Sequence, residues 1–321
     1  MKFLNIKRIS LTLITLLLLF SVVGCSNKPT EKADEKKPEA TTIVDREGNT
    51  IEIPKKTDKI VSISPSITQT LIHLGLADKI VAIDQYSAGL EGLPEGLPTY
   101  DILAPDVESL AALEPDILFA TGMTQAESDD PFKPVRDLGI IITYIPSATS
   151  ISAIKEDINF LGKMTDTSDQ AKAIVDEMEK EIDAILETYI TPIDQETAPT
   201  VYFEIAEAPH MYSFGTGTFL NEMIELLDAK NILADQESWV SVTEEAVIAK
   251  NPDIIFTNVG YLESPVEDVL NRKGWDVITA VQDKSVYFID QQSSSQPNEY
   301  IVEALLQMAQ AISPVEIDEE N

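Results

Sequence analysis

Along the chain, apolar positions change period several times. Ile9 to Val23 is almost continuously apolar, broken only by Ser10, Thr12, Thr15 and Ser21. Those fifteen residues span about 22 Å as a helix, short of the ~30 Å hydrocarbon core of a bilayer. After Lys2, Lys7 and Arg8, this predicts an export signal at 1–24 rather than a permanent span. Ser26 to Ala40 has no large apolar side chain and reads as a flexible tether. Thr41 to Pro54 alternates around a turn at Glu47-Gly48-Asn49, which predicts a small hairpin.

Short apolar strands then alternate with helical patterns. Predicted strands are Lys59–Ile63, Lys79–Ile83, Asp116–Ala120 and Ile140–Ile145, with helices at Ile67–Leu74, Val107–Leu113 and Pro134–Leu138. A second series follows. Its strands are Thr200–Ile205, Asp253–Thr257 and Ser285–Ile289, and its helices are Phe219–Leu227, Glu244–Ala249 and Asn298–Ile312. Between the two series, Ala171, Ile174, Val175, Met178, Ile182, Ile185 and Tyr189 keep helical spacing from Ser168 to Tyr189 without glycine or proline. This predicts a rigid rod joining two α/β lobes. The expected organisation is a lobe at 41–150, a helical connector at 151–198, a lobe at 199–315 and an acidic tail at 316–321.

The two lobes carry related segments. VESLAALEPDILF at 107–119 aligns with EEAVIAKNPDIIF at 244–256, with a constant offset of 137. Each reads as a helix, a Pro-Asp stop and a buried strand. A weaker echo links 71–82 with 223–234. Asp106 and Thr243 stand where N-caps belong, and Glu108 and Glu245 fall in the first helical turns, where free N–H groups favour carboxylates. Their matched positions also suit a pair of acidic knobs for a symmetric partner.

Charge narrows the choice of partners. With 23 basic and 55 acidic residues the net charge is −32, which disfavours nucleic acid and anionic bilayers. Arginine is confined to Arg8, Arg46, Arg136 and Arg272. The single cysteine, Cys25, allows no internal disulfide. Val22-Val23-Gly24-Cys25 resembles the bacterial lipobox, which implies a diacylated Cys25 at the start of a lipidated tether over 25–40. Gly215-Thr216-Gly217 lacks the remainder of a phosphate-binding fingerprint, and no zinc motif, nucleophile elbow or Cys/His cluster is present, so catalysis is not expected.

The order IVSISPSIT, LGLADKIVAI, VESLAALEPDI, a long helix, GTGTFLNEMIELLDAKNI, EEAVIAKNPDIIF and GWDVITAVQDKSVYFID resembles the substrate-binding lipoproteins of ABC importers for iron complexes and cobalamin. The resemblance covers roughly residues 42–315. It implies a two-lobed helical-backbone periplasmic-binding-protein fold with a ligand cleft between the lobes. It also implies a monomer that delivers its ligand to a permease dimer with cytoplasmic ATPase subunits. The implied permease-docking residues are Glu108 and Glu245, and the implied location is the extracellular face of a Gram-positive cell membrane. A surface interaction or scaffold lipoprotein is the rival class.

Loops after strand ends are the expected ligand contacts. In the first lobe they hold Ser64, Pro65 and Ser66, then Asp84, Gln85 and Tyr86, then Thr121, Gly122 and Met123. In the second they hold Pro209, His210, Met211 and Tyr212, then Trp239, then Asn258 to Tyr261, then Gln291 to Gln296, including Gln292, Ser293 and Gln296. Among the ligands the resemblance implies, anionic siderophores fit poorly, because these loops carry no arginine or lysine. Haem would need His210 or Met211 as its axial ligand. Cobalamin and neutral hydroxamate complexes suit an uncharged, aromatic cleft. FEIAEAPHMYSFGTGTFLNEM resembles Gram-positive cobalamin-type binders, whereas QPNEYIVEAL departs from their usual RPGPR-like run, so iron complexes stay open.

Overall fold

The computed structural model describes residues 41–46, 48–124, 131–190 and 197–313. The expected signal, Cys25, the tether, Glu47 and the acidic tail lie outside them. The chain opens on a hairpin of β1 (Thr42–Val44) and β2 (Thr50–Glu52). There follow β3 (Ile60–Ile63), α1 (Pro65–His73), β4 (Ile80–Asp84), β5 (Thr99–Tyr100), α2 (Val107–Ala112), β6 (Ile117–Thr121), α3 (Lys133–Arg136) and β7 (Ile141–Ile145). The five strands β3 to β7 form a parallel sheet in the order β5-β4-β3-β6-β7.

Two helices come next, α4 (Ile151–Met164) and α5 (Ser168–Tyr189). The second series is β8 (Thr200–Glu204), β9 (Tyr212–Phe214), α6 (Phe219–Leu226), β10 (Lys230–Asn231), β11 (Trp239–Ser241), α7 (Glu244–Lys250) and β12 (Ile254–Thr257). It ends with α8 (Pro265–Leu270), α9 (Thr279–Gln282), β13 (Val286–Phe288), α10 (Gln291–Ser295) and α11 (Ile301–Ile312). Its parallel sheet has the order β10-β8-β12-β13, while β9 and β11 form a separate antiparallel pair.

The strands read as apolar runs because both faces of each sheet are covered. Period-two alternation then divides the side chains between cores. In β6, Ile117 and Phe119 join one cluster while Leu118 and Ala120 join another under α2 and α3. In β8, Val201 and Phe203 belong to the first cluster and Tyr202 to a third. The first cluster therefore reaches one face of both sheets. It runs between them through α1, α4, α5, α6 and α11.

The connector is thus a pair of antiparallel helices packed with α11, not a lone rod. α5 matches the expected 22-residue pattern, and its buried stripe is the predicted one. The pattern did not single out α4. The two helices meet at Gly162, where an added Cβ would lie 2.4 Å from the Ala171 Cβ and 3.1 Å from the Thr167 carbonyl oxygen. The start of α4 is held from both lobes. Ser150 Oγ accepts the Ala153 N–H at 3.1 Å, and Glu222 of α6 accepts the Ile151 N–H at 2.7 Å.

The repeated Pro-Asp segments have one job in both lobes. Asp116 Oδ2 accepts the backbone N–H groups of Asp58 and Lys59 at 2.9 and 3.1 Å, fastening the amino end of β3 beside β6. Asp253 Oδ2 does the same at β8, accepting the Thr200 N–H at 2.8 Å and its hydroxyl at 2.6 Å. Asp106 and Thr243 cap their helices as expected, accepting from Ser109 and Ala246.

A polar clasp also crosses between the lobes. Glu299, before α11, accepts the Thr70 hydroxyl at 2.8 Å and meets His73 Nδ1 at 3.1 Å, and Asn298 Nδ2 donates to Gln69 Oε1 at 2.8 Å. The Glu299 side chain is 5% exposed, so this pairing is nearly dry on one side.

Two outcomes are expected. Gly162→Ala should lower stability by about 1–2 kcal/mol, because the α4–α5 overlap outweighs the gain of about 1 kcal/mol in helix propensity. Urea unfolding would measure it. His73 is held above the ordinary histidine value of 6.5, chiefly by its hydrogen bond to Glu299. Its contribution is therefore complete below about 6.5 and is lost as pH rises through the raised value. Half-exposure of His73 limits the effect to about 1 kcal/mol or less. The stability difference between wild type and His73→Gln should shrink in urea titrations as pH rises above about 6.5 and through the raised value.

Candidate functional site

The carboxyl ends of the parallel strands carry the site. A cavity of about 270 Å³ opens between loops of both lobes, with α4 along one wall. From the first lobe it receives Ser64, Pro65 and Ser66 at the start of α1, Thr121 at the end of β6, and Pro146 to Ala148 after β7. From the second it receives Phe219, Trp239, Ser295, Gln296 and Pro297. Ile154, Asp157, Ile158 and Leu161 of α4 stand at i, i+3, i+4 and i+7, a single helical stripe facing the cavity.

Of the sequence-predicted contacts, the structure brings Ser64, Pro65, Ser66, Thr121, Trp239 and Gln296 to this one cavity. Ser64 and Ser66 share a hydroxyl hydrogen bond of 3.1 Å. Trp239 is 38% exposed and is held edge-on against Phe214 and Phe219. Gly122 lies just behind, with its Cβ position 3.6 Å from Pro146 Cα. The side chain of Met123 is outside the described residues.

The other candidates lie elsewhere. Asp84 is buried, accepts the N–H groups of Tyr86 and Ser87, and bonds the Ser87 hydroxyl. That turn leaves Gln85 and Tyr86 exposed and away from the cavity wall. Tyr212 and Tyr261 are exposed, and Tyr261 donates to Glu207. His210 is exposed in a turn, while Met211 is 2% exposed within the apolar cluster around Tyr202 and Trp275. Met211 is therefore a core residue, and neither it nor His210 lines the cavity. Haem ligation by Met211 would require that side chain to leave its core.

The run from Gln291 to Gln296 is mostly helix α10 rather than loop. Asp290 caps it by accepting the Ser293 N–H at 2.8 Å, and buried Asn258 donates to the Ser294 and Ser295 hydroxyls at 3.0 and 3.1 Å. Asn258 thus positions the helix that carries Ser295. Gln292 and Ser293 line a separate cavity of about 250 Å³ with Gln69, Ile72 and Tyr300. The clasp divides the two spaces, since Thr70 lines the first and Gln69 the second.

Sequence reasoning missed α4 as a wall, and with it Asp157. This carboxylate is paired with Arg46 of the hairpin through two hydrogen bonds of 2.9 Å. Arg46 also donates to the Pro146 carbonyl at 2.6 Å. Burial pushes the Asp157 carboxyl up, and Arg46 pulls it partly back. A charged residue inside an apolar helical stripe was the signal available in the sequence.

Arginine is committed throughout the described residues. Arg272 forms a fork on Glu204 at 2.5 and 3.1 Å, reaches Asp268 at 2.6 Å and stacks 4.4 Å from the Trp275 ring centre. Arg136 donates to the Ile142 carbonyl. The cavity wall carries no lysine or arginine among the described residues.

The expected docking residues sit on matched elements. Glu108 of α2 and Glu245 of α7 are both exposed in first turns. The neighbouring Glu244 is engaged instead, accepting the Trp275 indole N–H at 2.9 Å.

Comparison with known proteins places this architecture. A family model described as periplasmic binding protein matches residues 60–293. YvrC, an uncharacterized ABC transporter substrate-binding lipoprotein of Bacillus subtilis, is 31% identical over 96% of this chain and 98% of its own length. A cobalamin-binding protein of Halobacterium salinarum is 26% identical over 83% of this chain and 72% of its own. The crystal structure of a possible iron-binding (periplasmic solute-binding) protein from Staphylococcus epidermidis superposes with a TM-score of 0.70 at 30% identity, covering 80% of this chain and 99% of that one. With two lobes joined by long helices, a cleft between them and relatives of this kind, the chain belongs to the periplasmic binding protein family and is a binding protein rather than an enzyme.

Proposed function

We propose that this chain captures a neutral or cationic metal complex of the cobalamin or ferric-hydroxamate kind outside the cytoplasm and delivers it to the permease of an ABC importer. The observation that carries this reading is the commitment of Arg46, Arg136 and Arg272 to internal partners. An anionic ligand would meet a cavity whose one ionisable wall residue among the described residues is a carboxylate. Similarity to the cobalamin-binding protein of Halobacterium salinarum supports the ligand class, and similarity to the Bacillus subtilis substrate-binding lipoprotein supports delivery to an ABC importer.

Size adds a constraint. A cavity of about 270 Å³ lies at the lower end for small-molecule sites, which run from about 300 to 1,000 Å³. It accepts one edge of a macrocycle, leaving the remainder outside the cavity. Delivery would use Glu108 and Glu245 as paired acidic contacts for basic sockets on a permease dimer, with Cys25 as the lipid anchor at the membrane face.

The chain has two tryptophans, one lining the cavity and one fully buried at Trp275. Titration with cyanocobalamin, ferrioxamine B and haemin should change the Trp239 emission for a cognate complex, and Trp239→Phe should abolish most of that change. Binding without any response from Trp239 would place the ligand elsewhere. The double reversal Glu108→Lys/Glu245→Lys should leave solution affinity within about twofold and reduce uptake by intact cells at least about tenfold. Weakened solution binding in that variant would count against docking.

A further inference from the structure

From the cavity wall we infer that Asp157 is the specificity-determining acceptor of this cleft, holding N–H or O–H donors on the inserted edge of the ligand, and that Arg46 is its positioning residue. The inference rests on the cleft reading above and narrows its ligand class to complexes whose leading edge carries hydrogen-bond donors.

Three features support it. First, Asp157 is the one ionisable side chain among the described residues that line the cavity. It interrupts the stripe of Ile154, Ile158 and Leu161, where an apolar residue would pack without loss of hydration. Replacing a buried ion pair by apolar residues of similar volume is often neutral or stabilising. Fold stability alone therefore does not account for a carboxylate at this place.

Second, the pair is asymmetric toward the cavity. Asp157 belongs to the wall; Arg46 does not. The guanidinium approaches from the hairpin, 111 residues away in sequence, and is also tied to the Pro146 carbonyl. The ligand thus meets the carboxylate, and the guanidinium fixes its orientation from behind. Third, acceptor capacity remains. Two carboxylate oxygens offer about four lone-pair sites, and Arg46 uses one on each. Those left over can accept from primary amides, hydroxyls or an ammonium. A ligand edge bearing carboxylates or phosphate would meet like charge. The wall around Asp157 is otherwise apolar or neutral, with hydroxyls at Ser64, Ser66 and Ser147.

The test uses the full chain, extracted in detergent, and the three probes named above. Cyanocobalamin carries primary amides on its edge and ferrioxamine B carries amide N–H groups and an ammonium, whereas haemin presents carboxylates. The double variant Arg46→Met/Asp157→Leu removes both charges together, so no unpaired ion is left buried. It should melt like the wild type, lose at least about tenfold in affinity for whichever donor-bearing probe the wild type binds, and gain relative preference for haemin. Arg46→Lys should retain the charge but lose the two-point hold, giving an intermediate loss. A folded double variant that binds the donor-bearing probe within about twofold of wild type would overturn the inference while leaving the cleft reading intact. If the double variant does not fold, Asp157→Asn decides the matter. An unchanged preference between cyanocobalamin and haemin in that variant would also overturn it. Failure of the wild type to bind either donor-bearing probe would defeat the cleft reading itself, and the inference with it.

Discussion

One continuous apolar core decides how this molecule is put together. It begins on one face of the first sheet, passes through α4, α5 and α11, and ends on one face of the second. Separating the lobes would expose side chains such as Met178, Met223, Leu305 and Met308, each buried to within 2%. Hydrophobic burial scales with area, so an interface of this extent resists wide opening without any special hinge device. The connector is stiff because it is packed along its length, not because a helix is inherently a strut. Gly162 shows how close that packing is.

The cleft follows from this arrangement. Both sheets are parallel, and their carboxyl ends supply the loops that meet beside α4. The same helix that joins the lobes therefore forms part of the wall that a ligand touches. Polar contacts then trim the space. Glu299 and Asn298 hold Thr70 and Gln69 of α1, of which the first lines one cavity and the second another. Arg46 and Asp157 bring the hairpin into the same region. Each of these contacts joins residues more than a hundred positions apart, so the site exists only once the core has set the positions of its helices.

That dependence explains what the sequence could and could not reveal. Strands β3, β6 and β12 were legible because they are short apolar runs bounded by Pro-Asp or Ser-Pro signals, and β8 because its apolar run follows Pro199. α5 was legible because its stripe is unbroken. α4 was harder to see, since Asp157 and Gly162 interrupt its apolar face and both belong to tertiary contacts. α10 has the sequence QQSSS, which carries no hydrophobic period; its cap at Asp290 and its tie to Asn258 define it. β9 and β11 are three residues each and pair across 24 intervening positions, beyond any local signal. Loop membership pointed to Ser64, Trp239 and Gln296, which line one cavity, but the same rule swept in Met211, whose side chain turns into the core.

The two aspartates of the repeated Pro-Asp segments have a consequence for how such a protein can change. Asp116 and Asp253 fasten strands at their amino ends, the edge of each sheet remote from the ligand loops. Structural fastening and ligand contact are thus assigned to opposite rims of the same strands. Residues on the cleft rim can be exchanged one by one without loosening the fasteners beneath them. The scaffold is in this sense re-addressable: a new cargo demands new loop chemistry, not a new fold.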